Sequence, residues 1–232
     1  NKKKFWKDLM KNELIKRISS SIILIPIALF FIIKGSFLFN FFITICFLIT
    51  IYEWHNMSKD KPYNIFGHIF LLFSFYSVYF VRNELDESSL FIFLFILLIC
   101  ISTDLGGYAF GKFFKGPKLT KISPNKTYAG TFGGFLLAVV ASLVFSNYIN
   151  SDPWFIFPLE FLELTKNYET TFLIFVLIIS LVSQIGDLII SYFKRLAKIK
   201  DTGKFIPGHG GILDRIDGLI FAIPISYLFM VL

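Results

Sequence analysis

The sequence predicts an all-α fold, a polytopic transmembrane bundle of about seven spans with its N-terminus on the cytoplasmic side. Three observations predict it. Of 232 residues, 55% are hydrophobic and 19% aromatic, and mean hydropathy is +0.68; a soluble domain this small has too much surface to hide so much apolar area. The apolar residues gather into seven long runs. Lys and Arg fall almost entirely on alternate connections between those runs. The length fits one integral membrane domain covering 1–232, with no separate soluble module.

The elements follow in order. Residues 1–17 mix Phe5, Trp6, Leu9, Met10, Leu14 and Ile15 with lysines, the pattern of an amphipathic basic segment lying on anionic lipid. The apolar runs cover 18–33, 36–52, 65–81, 89–110, 130–149, 171–190 and 218–232. Each approaches the ~20 residues that a helix needs to cross ~30 Å of hydrocarbon. The first and last are short, which tilt or local thinning would accommodate. No small-x-small cleavage site follows the first run, so it reads as a retained anchor.

Charge sets the orientation. With the N-terminus inside, the inner segments carry 20 of the 23 basic residues and the outer side only Lys34, Arg82 and Lys166. Seven carboxylates lie outside: Glu84, Asp86, Glu87, Asp152, Glu160, Glu163 and Glu169. The bias concerns cations alone, as the positive-inside rule requires. The outer connection 147–170, with Trp154, Phe155, Phe157, Phe161 and Leu162 among its acids, reads as a half-buried interfacial segment. The same rule accounts for the net charge of +7, so nucleic acid is not an expected partner. Cys46 and Cys100 sit inside apolar runs and read as small buried hydrophobes.

Two inner segments, 103–134 and 184–218, carry more chemistry than spacers need. Asp104 ends one apolar run and Asp187 interrupts another; a carboxylate at membrane depth costs at least ~2.5 kcal/mol and is by default functional. Asp214 and Asp217 are three apart, on one face if a helix begins there, though an N-cap and a first-turn acid would use the same residues. Around them lie Lys194, Arg195, Lys198, Lys200, Lys204, His209 and Arg215, with Gly208, Gly210 and Gly211 offering backbone N–H groups. Carboxylates among cations on a glycine-rich turn suit a magnesium–polyphosphate site. Upstream, Ser123, Lys126 and Thr127 precede Gly130, Gly133 and Gly134 at a helix start, which suits an anion; close helix packing explains those glycines equally well.

The second segment resembles the phosphatidate cytidylyltransferases, or CDP-diacylglycerol synthases. Ser191, Lys194, Arg195, Lys200, Asp201, Gly203, Pro207, His209, Gly210, Gly211, Asp214, Arg215 and Asp217 match that family's signature at every fixed position. SPNKTYAGTFGG and TDLGGYAFGKFF resemble two further family blocks. Two positions depart from the usual pattern: Ile190 and Ala129 stand where the family often has Glu. The resemblance implies a polytopic homodimer in a bacterial inner membrane, its active site facing the cytoplasm. It implies Mg2+, with a monovalent cation such as K+ beside it, and metal ligation by Asp187 and Asp214.

On this reading CMP passes from CTP to phosphatidic acid, giving CDP-diacylglycerol and pyrophosphate in phospholipid biosynthesis. The expected catalytic residues are Asp187, Asp214, Asp217, Lys194 and Arg215. Expected to bind substrate are Ser123, Lys126, Thr127, Ser191, Arg195, Lys204, His209, Gly210 and Gly211. The cations divide between triphosphate and lipid headgroup, and His209 serves position rather than proton abstraction. Two alternatives stand beside this: another CTP-dependent lipid nucleotidyl- or phosphotransferase, and an ion-coupled transporter. The first lacks the Asp-Gly-x2-Ala-Arg run of the alcohol phosphotransferases. The second expects acids at midplane and inverted repeats, and neither pattern is present.

Overall fold

A computed structural model describes residues 19–84, 89–120, 122–149, 168–208 and 210–231. The basic segment 1–17, most of the aromatic connection 147–170, and His209 therefore lie outside the described residues. What is described is helical: α1 (Ser19–Lys34), α2 (Ser36–Ser58), α3 (Asn64–Asn83), α4 (Ser89–Phe114), α5 (Tyr128–Ile149), α6 (Tyr168–Leu196), the single turn α7 (Leu213–Ile216) and α8 (Leu219–Val231). Five of them, α2 to α6, are long and apolar enough to cross a bilayer; α1 and α8 are shorter apolar helices. Over its described residues each of the seven expected runs lies on one of these helices, Gly218 excepted.

Lipid explains why these helices look as they do. Large apolar side chains such as Ile22, Phe37, Phe41, Leu48, Phe66, Ile69, Phe132 and Val144 stand exposed around the bundle. In water so extensive an apolar surface would aggregate; in hydrocarbon it is solvated. The protein is an integral membrane protein on this ground. Its interior divides into two apolar clusters. One joins α1 to α6 with α8, around Phe39, Phe95, Ile96, Ile99, Phe175 and Ile179. The other gathers Trp54, Met57, Leu71, Phe75, Ile190, Leu213 and Ile220 from α2, α3, α6, α7 and α8.

Lipid gives helices no hydrophobic reason to associate, so close backbone approach and hydrogen bonds must hold them together. The most extensive pairing, α4 with α5, is made by glycines. A Cβ at Gly106 would collide with the Gly133 carbonyl, and one at Gly130 would sit 2.7 Å from the Gly107 oxygen. The glycines entering α5 thus serve helix packing. Across other pairs, Ser74 Oγ donates to the Ile220 carbonyl at 2.7 Å, joining α3 to α8, and Thr103 Oγ1 donates to Ser180 Oγ at 2.8 Å, joining α4 to α6.

At the other end of α3, Arg82 is nearly buried. Its Nε donates to the Ile32 carbonyl at 2.8 Å and an Nη to that of Ile33 at 3.3 Å, while the guanidinium lies over the Phe39 ring. It thereby satisfies carbonyls that the end of α1 would leave orphaned. Gly35, at φ +63, makes the α1–α2 turn, and a side chain there would strike the guanidinium.

Candidate active site

The two segments singled out in the sequence meet around one polar cavity of about 380 Å³. Four carboxylates line it: Asp104 from α4, Asp187 from α6, Asp214 from α7, and Asp217 just before α8. Ser123, Asn125, Lys126 and Thr127 line it from the α4–α5 connection.

Glycine spacing brings these groups together. At Gly186 a Cβ would meet the Phe221 ring and the Asp217 carbonyl, and at Gly218 it would meet Ser183. The absence of side chains there lets α6 and the start of α8 approach until the Asp187 carboxylate acts directly on that of Asp217. The α4–α5 connection folds back on itself: Leu119 N–H donates to the Lys126 carbonyl at 2.8 Å, and Lys126 N–H to that of Ser123 at 3.0 Å. That turn aims Lys126 at Asp187, with Nζ 2.5 Å from Oδ2. Thr127 Oγ1 accepts from Gly130 N–H at 3.1 Å, so the hydroxyl is the N-cap of α5 as well as part of the wall.

The second ion pair organises the loop. Asp214 Oδ1 accepts from Lys194 Nζ at 2.8 Å. Its Oδ2 accepts from Thr202 N–H at 2.7 Å, Thr202 Oγ1 at 3.0 Å and Gly211 N–H at 3.0 Å. Burial pushes its carboxyl upward, but Lys194 and the Gly211 and Thr202 donors outweigh that and hold it below the ordinary range. Asp217 goes the other way. Burial, the neighbouring Asp187 charge and that of Asp104 push it well above the ordinary range, against the pull of Lys194. Two carboxyls in mutual contact cannot both stay ionised without a proton or a cation between them.

One residue at the heart of this arrangement was invisible as a site residue. Glu53, near the C-terminal end of α2, is 1% exposed. Its carboxylate accepts from Ile212 N–H at 3.0 Å, Leu213 N–H at 2.8 Å and Thr202 Oγ1 at 3.1 Å. It fixes both the start of α7 and the 202 turn, and so sets where Asp214 sits. Side chains at Gly203 or Gly211 would run into this carboxylate, and one at Gly210 would come within 2.7 Å of Asp214 Oδ2. The only signal in the sequence is an acid closing an apolar run, in Tyr52-Glu53-Trp54. Gln184 is the other addition: it lines the cavity, and its Nε2 is buried with no hydrogen-bond partner among the described residues.

Of the expected site residues, the structure brings Ser123, Lys126, Thr127, Asp187, Asp214 and Asp217 to the cavity. Ser191 touches it through Asp187, donating to Oδ1 at 3.3 Å, and Lys194 through Asp214. The N–H groups of Gly210 and Gly211, expected to face phosphate, donate in this structure to the Ile206 carbonyl and to Asp214. Arg195 turns away to the Ile199 carbonyl at 3.2 Å, and Lys204 lines a different concavity. Arg215 is exposed.

The wall offers oxygen ligands, as a hard divalent cation needs. The orphaned Gln184 amide and the Asp187–Asp217 contact mark a cavity whose groups are incomplete without a ligand. Among the described residues no three Asp, Glu, His or Cys side chains gather closely enough to cage an ion. Two carboxylates supplemented by water and phosphate is nevertheless the usual way magnesium is held.

The model of the cytidylyltransferase family matches this chain over residues 15–88 and 65–232. The chain belongs to that family. Among its relatives, the phosphatidate cytidylyltransferase of Rickettsia felis is 33% identical over 234 residues, covering 96% of this chain and 94% of the relative. That of Rickettsia conorii is 35% identical over 230 residues, covering 96% and 93%. That of Brucella suis is 31% identical over 191 residues, covering 82% of this chain and 64% of a longer protein. As a cytidylyltransferase, the chain keeps its family signature where glycines pack against carboxylates. Gly203, Gly210 and Gly211 are the glycines that the Glu53 and Asp214 carboxylates require.

Proposed function

We infer that the protein transfers CMP from CTP to phosphatidic acid, giving CDP-diacylglycerol and pyrophosphate. Similarity to phosphatidate cytidylyltransferases along nearly the whole chain supports this. The observation that carries it in the structure is the Lys126–Asp187 pair on the wall of the four-carboxylate cavity.

The reaction is an in-line displacement. A phosphate oxygen of phosphatidic acid forms a bond to the α-phosphorus of CTP, the bond from that phosphorus to the α–β bridging oxygen breaks, and pyrophosphate leaves with the electron pair. The attacking phosphate is already ionised, so no general base is needed. The barrier is repulsion between two anions, and fixed cations lower it. Mg2+, when bound, neutralises the triphosphate and the charge growing on the leaving group. Asp187 and Asp217 would hold it. Asp214, whose two oxygens already accept four hydrogen bonds, is better suited to shaping the loop than to ligation, a change from the expected Asp187–Asp214 pair.

In the resting protein Lys126 and Asp187 neutralise each other. With substrate, the lysine turns to phosphate and the carboxylate is released for the cation. Ser123 and Asn125 add hydroxyl and amide donors beside it, Gln184 its unpartnered amide, and Lys194 stays with Asp214.

This reading places the N-terminus and the cavity on the cytoplasmic side, where CTP is dissolved, of a bacterial inner membrane. It takes α1 and α8 as spans beside the five longer helices, and the working form as a homodimer with Mg2+ and a monovalent cation such as K+. The test uses purified protein, labelled CTP, phosphatidic acid and magnesium. Label entering CDP-diacylglycerol, and lost in Asp187→Asn, is expected. Absence of labelled lipid with an inserted, folded wild-type protein would reject the reaction.

A further inference from the structure

A second concavity, of about 740 Å³, lies at the inner ends of α2 and α6 and shares no lining residue with the catalytic cavity. Lys59 and Lys61 of the α2–α3 connection line it together with Lys198, Lys200 and Lys204 from beyond α6; Asp201 is its one acid. All five lysines are exposed. The two ion pairs among the described residues, Lys126–Asp187 and Lys194–Asp214, do not involve them.

Like charges drift apart unless something gathers them. Here two distant segments are folded toward one hollow, and each bends through a left-handed residue that carries a Cβ, Asp60 at φ 61 and Lys198 at φ 57. Asp adopts that conformation readily, whereas a lysine such as Lys198 rarely does. The positive-inside bias asks only that cations lie on one side of the membrane. It does not ask them to line a cavity. Thr202, on the floor, connects this hollow to the reaction site: it lines the basin while its N–H and Oγ1 hold Asp214. Gly203 beside it packs on Glu53.

We propose that this basin binds a phosphate-bearing anion other than the reacting substrates, and that the bound anion steadies the loop holding Asp214. The headgroup layer and the aqueous phase are the two possible sources. Lysine ammonium groups suit either, as compact point charges that need no fixed fork geometry. An anion held by Lys200 and Lys204 restrains Thr202 from both sides, and hence Asp214.

The full chain in phosphatidylcholine nanodiscs, labelled with a water-soluble lysine-acylating reagent and read by mass spectrometry, tests this without requiring turnover. It therefore stands or falls separately from the proposed reaction. Three conditions are compared: phosphatidylcholine alone, phosphatidylcholine with phosphatidylglycerol, and phosphatidylcholine with inorganic phosphate. Protection of Lys59, Lys61, Lys198, Lys200 and Lys204 together, with Lys112, Lys115 and Lys118 still reactive, is expected. Protection by phosphatidylglycerol supports the site and assigns a lipid source; protection by inorganic phosphate supports it and assigns a soluble one. Equal protection of Lys112, Lys115 and Lys118 would mean diffuse surface attraction and overturn the site, as would no protection at all.

The triple variant K59Q/K61Q/K198Q should raise the half-protecting concentration at Lys200 and Lys204 by about fivefold per lysine removed. An unchanged value would also overturn the proposal. The protecting anion should raise CMP transfer in the wild type and not in the variant, and a wild-type rate indifferent to it would sink the link to Asp214.

Discussion

Replacing Glu53 by alanine removes the acceptor for three hydrogen bonds, from Ile212 N–H, Leu213 N–H and Thr202 Oγ1. Thr202 Oγ1 keeps Asp214 Oδ2 as an acceptor, so the Ile212 and Leu213 N–H groups are the donors left without a partner, and at about 1–3 kcal/mol each they reach roughly 2–6 kcal/mol if the loop stays in place. The 202–213 loop lies next to water, so it will shift to hydrate them and carry Asp214 with it. A displacement of about 1 Å at a site can cost ~10²-fold in rate, and kcat for CMP transfer in Glu53→Ala should fall by about that factor. Glu53→Gln keeps the shape but turns one oxygen into a donor facing donors. It should lose one or two of the three bonds and about tenfold in kcat, near 1.4 kcal/mol. The companion substitution is Gly203→Ala, whose methyl would meet the Glu53 carboxylate. Alone it should cost activity and thermal stability; in the Glu53→Ala background the obstruction is gone and it should cost little, giving a coupling above ~1 kcal/mol. Turnover and thermal unfolding of the four proteins measure this directly. Wild-type kcat in Glu53→Ala, or strictly additive effects, would refute the assignment of Glu53 as the positioning residue.

Further outcomes follow from the same contacts. EDTA should stop turnover and magnesium restore it, with Asp217→Asn requiring more magnesium for half-maximal rate; full activity in EDTA would contradict a metal role. Asp217, pushed well above its ordinary value of 3.8, binds its proton more tightly folded than unfolded. Its contribution to stability is therefore complete at low pH and is lost as pH rises through the folded value. Asp217→Asn should flatten that decline in thermal midpoint, whereas parallel wild-type and variant curves would argue against it. Arg82→Met should lower stability by about 1–3 kcal/mol, because the Ile32 and Ile33 carbonyls lose their donors, with kcat per folded molecule unchanged. A selective loss of kcat at full stability would contradict a purely capping role.

The helices were legible because a membrane permits few alternatives. Backbone groups in hydrocarbon must be satisfied within the segment, so a long apolar run such as 89–110 can scarcely be anything but α4. Connections were less so. The sequence reading credited Gly210 and Gly211 with phosphate contacts because glycine exposes backbone, yet glycine also makes room, and the two uses look identical in a string of letters. Gly210, at φ +90 and against Asp214, needs to be glycine for both conformation and space. Gly203 and Gly211 need it for space alone, and the group needing that space comes from a different helix.

That difference explains why Glu53 escaped notice while Asp187 did not. Asp187 announces itself, since a carboxylate within an apolar run is costly without a partner. Glu53 closes its run just where a span should meet the headgroups, so its sequence position matches that of any solvated helix-end acid. Its meaning comes from a hydroxyl and two backbone N–H groups 149 to 160 residues later in the chain, which no local pattern encodes. Lys204 is the converse case. The signature places it amid catalytic residues, but the turn held by Glu53 and Asp214 sends it to the far side of Thr202. The carboxylate that fixes which face of the 200–211 loop meets the cavity also fixes which lysines are left to do something else.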